Sequence, residues 1–330
     1  MKKVLVSLLA VCLAVVFFEL FLRFSPFSLG ISPVVYDKDV GMWHKKNFSS
    51  TIIKECYQTP YAFDEKGLIK NNYAYDSSKK DILIFGDSYM EALMVHNENV
   101  MHNALYKAFN GKYNFINYGL SDISPIQEFI MMKRKTDFSN AKMVLQFIRI
   151  ESDIYDVNAN NMDLSTARPK VFIDFKDIEH YEIIPPKKRD FKEKFRDILG
   201  NFELYVYLKK GIFFLKQKIQ GEKKSLIKED KNEDLSYNWL QIKGALYQSK
   251  KLLKSKGITY KVLLYGKNKK MTTHLKKILK NLNIEYYDIV ELAKKEGFAL
   301  KGFPCDSHWT DETHQNVAKL IKKLGFIDKK

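Results

Sequence analysis

Cysteine is scarce in this chain, with three in 330 residues, and none stands at the spacing of a zinc finger. No His, Cys and Asp cluster has metal-ligand spacing, so neither a metal nor any other cofactor is implied. A Walker loop, an arginine-rich arm and an internal repeat are all missing, and their absence argues against nucleic acid as a partner. Negative charge is also short: 39 Asp and Glu stand against 55 Lys and Arg, a net charge of +16. A lysine-rich solvated surface accounts for that balance. The functional alternative is attraction to acidic glycans or anionic lipid headgroups. What remains, 45% hydrophobic and 28% charged, is ordinary globular composition, enough for one large domain or one domain with an insertion.

The first 24 residues stand apart. Met1-Lys2-Lys3 precedes an apolar run from Val4 through Leu22, close to the roughly 20 residues that span a bilayer. Two lysines before the run favour an N-terminus left in the cytoplasm and a body carried across. The expectation is a single-pass anchor in the cytoplasmic membrane, with the body in the periplasm or outside the cell. No small-x-small site closes the run, so an uncleaved anchor is preferred over a cleaved signal. Val11 is too large for lipid processing at Cys12. Glu19 is costly in lipid unless it lies near the interface, where Arg23 one turn on can pair with it.

Residues 25–80, rich in turn residues and aromatics, read as an irregular wrapping segment. From residue 81 strands alternate with helices. Asp81 to Phe85, Asn114 to Tyr118, Met143 to Ile150, Tyr260 to Tyr265 and Ile284 to Val290 are the five expected strands. Asn97 to Asn110 and Ser124 to Thr136 are expected helices, the second with Pro125 at its first position. This order predicts a three-layer α/β/α fold on a mostly parallel five-stranded sheet. An insertion at about 160–232 interrupts it. There Lys170 to Phe175 and Glu179 to Ile184 suit a hairpin, Phe191 to Lys218 one or two aromatic-faced helices, and Gly221 to Glu233 a charged loop. The insertion is either a lid or a packing element.

Ligands of open parallel sheets sit beyond the carboxyl ends of the strands. Ser88 follows the first strand there, Gly119 the second, and Glu151-Ser152-Asp153 the third, while Asp306 and His308 precede the last helix. A serine hydroxyl becomes a nucleophile when a base takes its proton, and an imidazole needs a third group to fix its tautomer. Asp306, two residues before His308, can orient that ring from a tight turn. Ser88 is the expected nucleophile, His308 the base and Asp306 the orienter. Cys56 and Cys305 are left either as one bridge, which would tie residue 56 beside His308, or as two buried thiols.

The surroundings of Ser88 are not the Gly-x-Ser-x-Gly elbow. Gly86-Asp87-Ser88 instead resembles the first motif of the SGNH, or GDSL, hydrolases. Asn117-Tyr118-Gly119 resembles their second motif, and Asp306-Ser307-His308-Trp309 their last. The anchor ending in Glu19 and Arg23, followed by Asp39-Val40-Gly41-Met42-Trp43-His44, is similar to anchored members of bacterial polysaccharide loci. The resemblance implies acyl, chiefly acetyl, ester chemistry on an envelope glycan, by an esterase or an O-acyltransferase. It implies as partners that glycan, the membrane and a membrane-bound O-acyltransferase as acyl donor. The amides of Ser88 and Gly119 are the implied oxyanion donors. The family's third donor, an Asn, is replaced here by Ser152, whose hydroxyl is shorter; Asn158 or Arg149 could substitute. Asp87, Tyr89, Arg149 and Trp309 are the substrate-binding candidates, although Trp309 also suits packing under His308. His44 suits either a glycan contact or the aromatic wrapping, and His314 a packing position. Loss of the Asn leaves open a non-catalytic glycan-binding or assembly protein, and the aromatic insertion a lipid or thioester hydrolase.

Overall fold

The computed structural model describes residues 2–25, 30–157, 169–186, 188–220 and 235–328, with the backbone alone at 213, 214 and 216–220. Asn158 and the expected loop at 221–233 lie outside them. Helix α1 (Lys2–Phe24) is apolar and long enough to cross a membrane, and of its side chains only Leu22 is buried.

Within the segment 25–80, residues 34–62 are not irregular as expected. They form two antiparallel hairpins, β1 (Val34–Asp37) with β2 (Gly41–His44) and β3 (Ser49–Lys54) with β4 (Tyr57–Ala62). Sequence patterning misses them for physical reasons. All four residues of β2 are buried, so no alternation marks it, and β4 carries Pro60, which only an edge strand tolerates. Isolated hairpins are marginal. These lean on the body, with Val40, Met42, Trp43 and Leu68 entering the main core.

The body is α/β, with one central sheet whose five strands are all parallel. These are β5 (Asp81–Phe85), β6 (Asn114–Asn117), β7 (Ala141–Ile148), β10 (Thr259–Leu264) and β11 (Glu285–Asp288), in the order β11-β10-β7-β5-β6. Successive side chains of a strand face opposite ways. Leu83, Phe85 and Val144 therefore enter one core with α4 (Pro125–Arg134) and α8 (Ser236–Ser255). Ile82, Ile84, Leu145 and Phe147 enter the other with α3 (Met101–Ala108) and α11 (Asp311–Lys323). Ser124 and Gln127 form a reciprocal capping box at the start of α4, with Pro125 at its first turn.

Three boundaries differ from the sequence reading. The third strand ends at Ile148, and Ile150 opens α5 (Ile150–Asp156). The last strand ends at Asp288, whose carboxylate caps α10 (Ile289–Glu296), so Ile289 and Val290 are helical. Asn97–Asn99 is a separate 3-10 turn before α3. In the first two cases an apolar run continues across a cap, and periodicity alone cannot see the change. The insertion holds the expected hairpin, β8 (Phe172–Phe175) with β9 (Tyr181–Ile184). It also holds α6 (Phe191–Leu199) and α7 (Glu203–Gln220), and α9 (Lys269–Asn281) links β10 to β11.

Candidate active site

The carboxyl ends of the strands bring the three expected reactive groups together. Asp87 leaves β5 and caps α2 (Ser88–Glu91), the single turn that presents Ser88. On the other side, the loop before α11 is pinched by the antiparallel bridge between Gly302 and Trp309 and by bonds between Phe303, Asp306 and His308. Thr310 then caps α11. Held in this way, His308 Nε2 lies 2.8 Å from Ser88 Oγ across 220 residues of sequence. The other ring nitrogen, Nδ1, bonds Asp306 Oδ1, and the His308 amide donates to the same oxygen at 3.1 Å. A carboxylate on Nδ1 places the proton there and leaves Nε2 unprotonated to accept from the serine.

Two residues absent from the sequence reading complete the triad's far side. Lys54 Nζ donates to Asp306 Oδ2 at 2.5 Å and Tyr57 Oη to the same atom at 3.2 Å. Both come from the β3–β4 turn. Burial alone would raise the Asp306 carboxyl, but the bonds from Lys54 and His308 outweigh it and hold the group well below its ordinary 3.8. The bond to Asp306 in turn raises the Lys54 ammonium. Cys56 and Cys305 are joined as a disulfide 249 residues apart in sequence, fastening this turn beside the triad. Given that link, Lys54 and Tyr57 must lie near Asp306; the cysteine pair was the signal that could have found them.

Breaking the link with Cys56→Ser is expected to cost about 2–4 kcal/mol of stability, since it frees a very long loop in the unfolded chain. Ester hydrolysis should fall with it as Lys54 and Tyr57 loosen from Asp306. Thermal unfolding of the variant, and of the parent protein with and without reductant, checks this. Equal melting temperatures would show that the bridge contributes nothing.

The expected oxyanion donors fare unevenly. The Ser88 amide opens α2 and makes no hydrogen bond among the described residues. The Gly119 amide, expected to be free, donates instead to Asn117 Oδ1 at 2.8 Å. What demands glycine here is closeness, because a Cβ would sit 2.4 Å from Glu91 N and 2.5 Å from Met90 C. Asn117 Nδ2 also donates to Met90 O, tying β6 to α2. Ser152, the doubtful third donor, has its hydroxyl donating back to Arg149 O at 2.9 Å in the first turn of α5. Ser and Thr side chains commonly bond the local backbone in this way. Ser152→Ala is therefore expected to fall far short of the loss of about 10²- to 10³-fold that removing an oxyanion donor brings. A loss in that range, measured on an aryl ester, would return Ser152 to the oxyanion.

Of the substrate-binding candidates, three are structural. Asp87 is buried; its Oδ1 accepts from Tyr89 N and from Tyr265 Oη at 2.5 Å, and burial pushes its carboxyl up. Tyr89 is buried with its hydroxyl on Ser307 O at 2.9 Å, and its ring lies 4.7 Å from that of His308. Trp309 is buried against Tyr89 and Tyr265. Together these rings form an aromatic floor beneath His308, and Trp309, 6% exposed, is turned into it. Arg149 remains available at the rim: its guanidinium lies 5.0 Å over the Tyr89 ring, and its side chain is 28% exposed. His44 is not at the surface either. It is 2% exposed, stacks on Phe63, and bonds Glu91 at 2.7 Å and Gly67 O at 3.0 Å. It thereby ties β2 to the helix that carries Ser88. His314 is buried beside Trp309, where burial lowers it to about 3 and keeps it neutral.

No family model matches the chain, and no curated protein does. Solved structures do align with it. One is a lipolytic protein of the G-D-S-L family from Desulfitobacterium hafniense, at 9% identity and a TM-score of 0.40, over 74% of this chain and 99% of that one. Another is the psychrotrophic esterase EstA from Pseudoalteromonas sp., at 10% identity and 0.42, over 76% of this chain and 100% of that one. A third is Est24, a carbohydrate acetylesterase from Sinorhizobium meliloti, at 11% identity and 0.37, over 74% and 98%. At such identities and scores this is a low-level likeness of chain trace to a G-D-S-L-family lipolytic protein and to esterases, and the chemistry rests on the residues themselves.

Proposed function

We propose that the protein is an SGNH-type serine acyl esterase or O-acyltransferase acting on acyl, chiefly acetyl, groups of a bacterial envelope glycan. The observation that carries this reading is the continuous relay from Ser88 Oγ to His308 Nε2 and from His308 Nδ1 to Asp306. In the first step Ser88 Oγ bonds the acyl carbonyl carbon while its proton passes to His308 Nε2. Charge develops on the carbonyl oxygen, with the Ser88 amide as the donor at hand. His308 then returns the proton to the departing alcohol oxygen, leaving an acyl-serine. Water, or a sugar hydroxyl deprotonated by the same imidazole, attacks the acyl carbon, and the acyl–Oγ bond breaks as His308 Nε2 returns that proton to Ser88 Oγ. Asp306 holds the ring and stabilises its charged form throughout.

The glycan, a membrane-bound O-acyltransferase as acyl donor, and a body outside the cytoplasm belong to the same reading. The disulfide supports an oxidising compartment, and α1 supports an anchor. A second reading, a glycan-binding or assembly protein without catalysis, is favoured by the engagement of the Gly119 amide with Asn117. Incubating the full chain in detergent with p-nitrophenyl acetate, with and without an oligosaccharide acceptor, separates them. Hydrolysis regardless of acceptor supports the esterase, and acceptor-dependent acetylation the transferase. Glycan binding with no turnover of either kind would replace the catalytic reading by the second, and preference for long-chain or thioester substrates would move the substrate to lipid or thioester.

A further inference from the structure

A helix packed on a soluble core turns its apolar stripe inward. Helices α6 and α7 do the reverse. Phe191, Phe195 and Ile198, at i, i+4 and i+7 of α6, are 85%, 52% and 59% exposed. Leu208, Ile212 and Leu215 repeat that spacing on α7, at 58%, 54% and 61%. Among the described side chains of these helices, those buried are instead Glu193 and Glu203. An outward stripe of this extent on two successive helices marks a surface that something apolar covers.

The junction of the two helices says what covers it. The carboxylate of Glu19, in the last turns of α1, accepts from Glu203 N at 3.0 Å and Leu204 N at 2.9 Å. Arg23 Nη2 donates to Asn201 O at 2.7 Å. The start of α7 is thus bonded to the end of the one described helix long and apolar enough to cross a bilayer. Cations border the same region: Lys45, Arg196 and Lys209 help line a cavity of about 310 Å³ beside the junction, where Arg189 is paired with Asp197, and Lys192, Lys194 and Lys210 are exposed along the helices. Apolar residues on one face with lysine and arginine around them suit the boundary between acyl chains and phosphate headgroups.

We propose that α6 and α7 form a second membrane contact, lying in the interface of the bilayer that α1 crosses, with the basic rim against anionic phospholipid headgroups. The proposal rests on the reading of α1 as a membrane anchor. It gives the insertion a role other than a lid, holding the catalytic face at a set orientation to the membrane.

The test uses the full chain in nanodiscs containing phosphatidylglycerol, with a nitroxide at one cysteine at a time. The native Cys12 reports on α1. Phe195→Cys and Ile212→Cys report on the insertion, and the exposed Ser77→Cys on the body, each in a Cys12→Ser background with the disulfide kept oxidised. Collision with oxygen is compared with collision with a water-soluble nickel chelate. The expected result is oxygen preference at 12, 195 and 212, and nickel preference at 77. If 12 prefers oxygen while 195 and 212 behave like 77, the helices lie in water; the anchor stands and the proposal fails. If 195 and 212 are shielded from both reagents, a second copy or another protein covers them, which also overturns it. Nickel preference at 12 would remove the anchor and the proposal together.

Discussion

Ser88→Ala is expected to abolish labelling by a fluorophosphonate probe and to lower ester hydrolysis by about 10⁴- to 10⁶-fold. Removing Oγ deletes the atom that would carry the acyl group, and His308 Nε2, 2.8 Å away, is left with no proton to take. The fold should persist, because α2 is capped by the Asp87 side chain and not by the serine hydroxyl. Circular dichroism and gel-filtration volume should match the parent protein. Labelling that survives the change would place the nucleophile elsewhere.

Asp306→Asn is the second large effect, a loss of about 10⁴-fold in hydrolysis. An amide at this position can turn its NH₂ toward His308 Nδ1, which forces the ring proton to Nε2 and blocks acceptance from Ser88. Lys54→Met separates that orienting role from the support behind it. Tyr57 and His308 still bond Asp306, so the expected loss is about tenfold, that of one hydrogen bond. A pH measurement distinguishes the two variants. The Asp306 carboxyl is held below its ordinary 3.8 despite burial, through Lys54 and His308. A depressed carboxylate gives stability that is fully present above its unfolded value and is lost as pH falls through its folded one. In the parent protein that loss therefore starts as pH falls below the ordinary carboxylate value and continues until the lower folded value is passed. In Lys54→Met the folded value lies nearer the unfolded one, so the loss should be smaller and end at higher pH, seen as a shallower acid fall in melting temperature. In Asp306→Asn it should be gone. Identical acid profiles in all three proteins would remove Lys54 from the triad's support.

Much of this was legible before any coordinates. The five strands and their parallel order follow from apolar runs bounded by turn residues, which a sheet covered on both faces requires. The place of Ser88, His308 and Asp306 follows as well, because strand ends and the loop before a last helix converge at one edge of such a sheet. Tertiary structure decided the rest. Whether Gly119 N is free depends on where the Asn117 side chain turns, and Ser152 chose its own backbone over the site. Such choices between near neighbours leave no trace in composition or spacing. Asp87, Tyr89 and Trp309 look like substrate contacts by proximity in sequence, yet burial beneath His308 takes them out of reach. Lys54 and Tyr57 lie about 250 residues from Asp306 and join it only because hairpin β3–β4 docks there and a disulfide holds it. The sequence determined which groups could react; the packing of distant segments decided which of them face one another, since only contacts across the fold set the direction of a hydrogen bond or the burial of a ring.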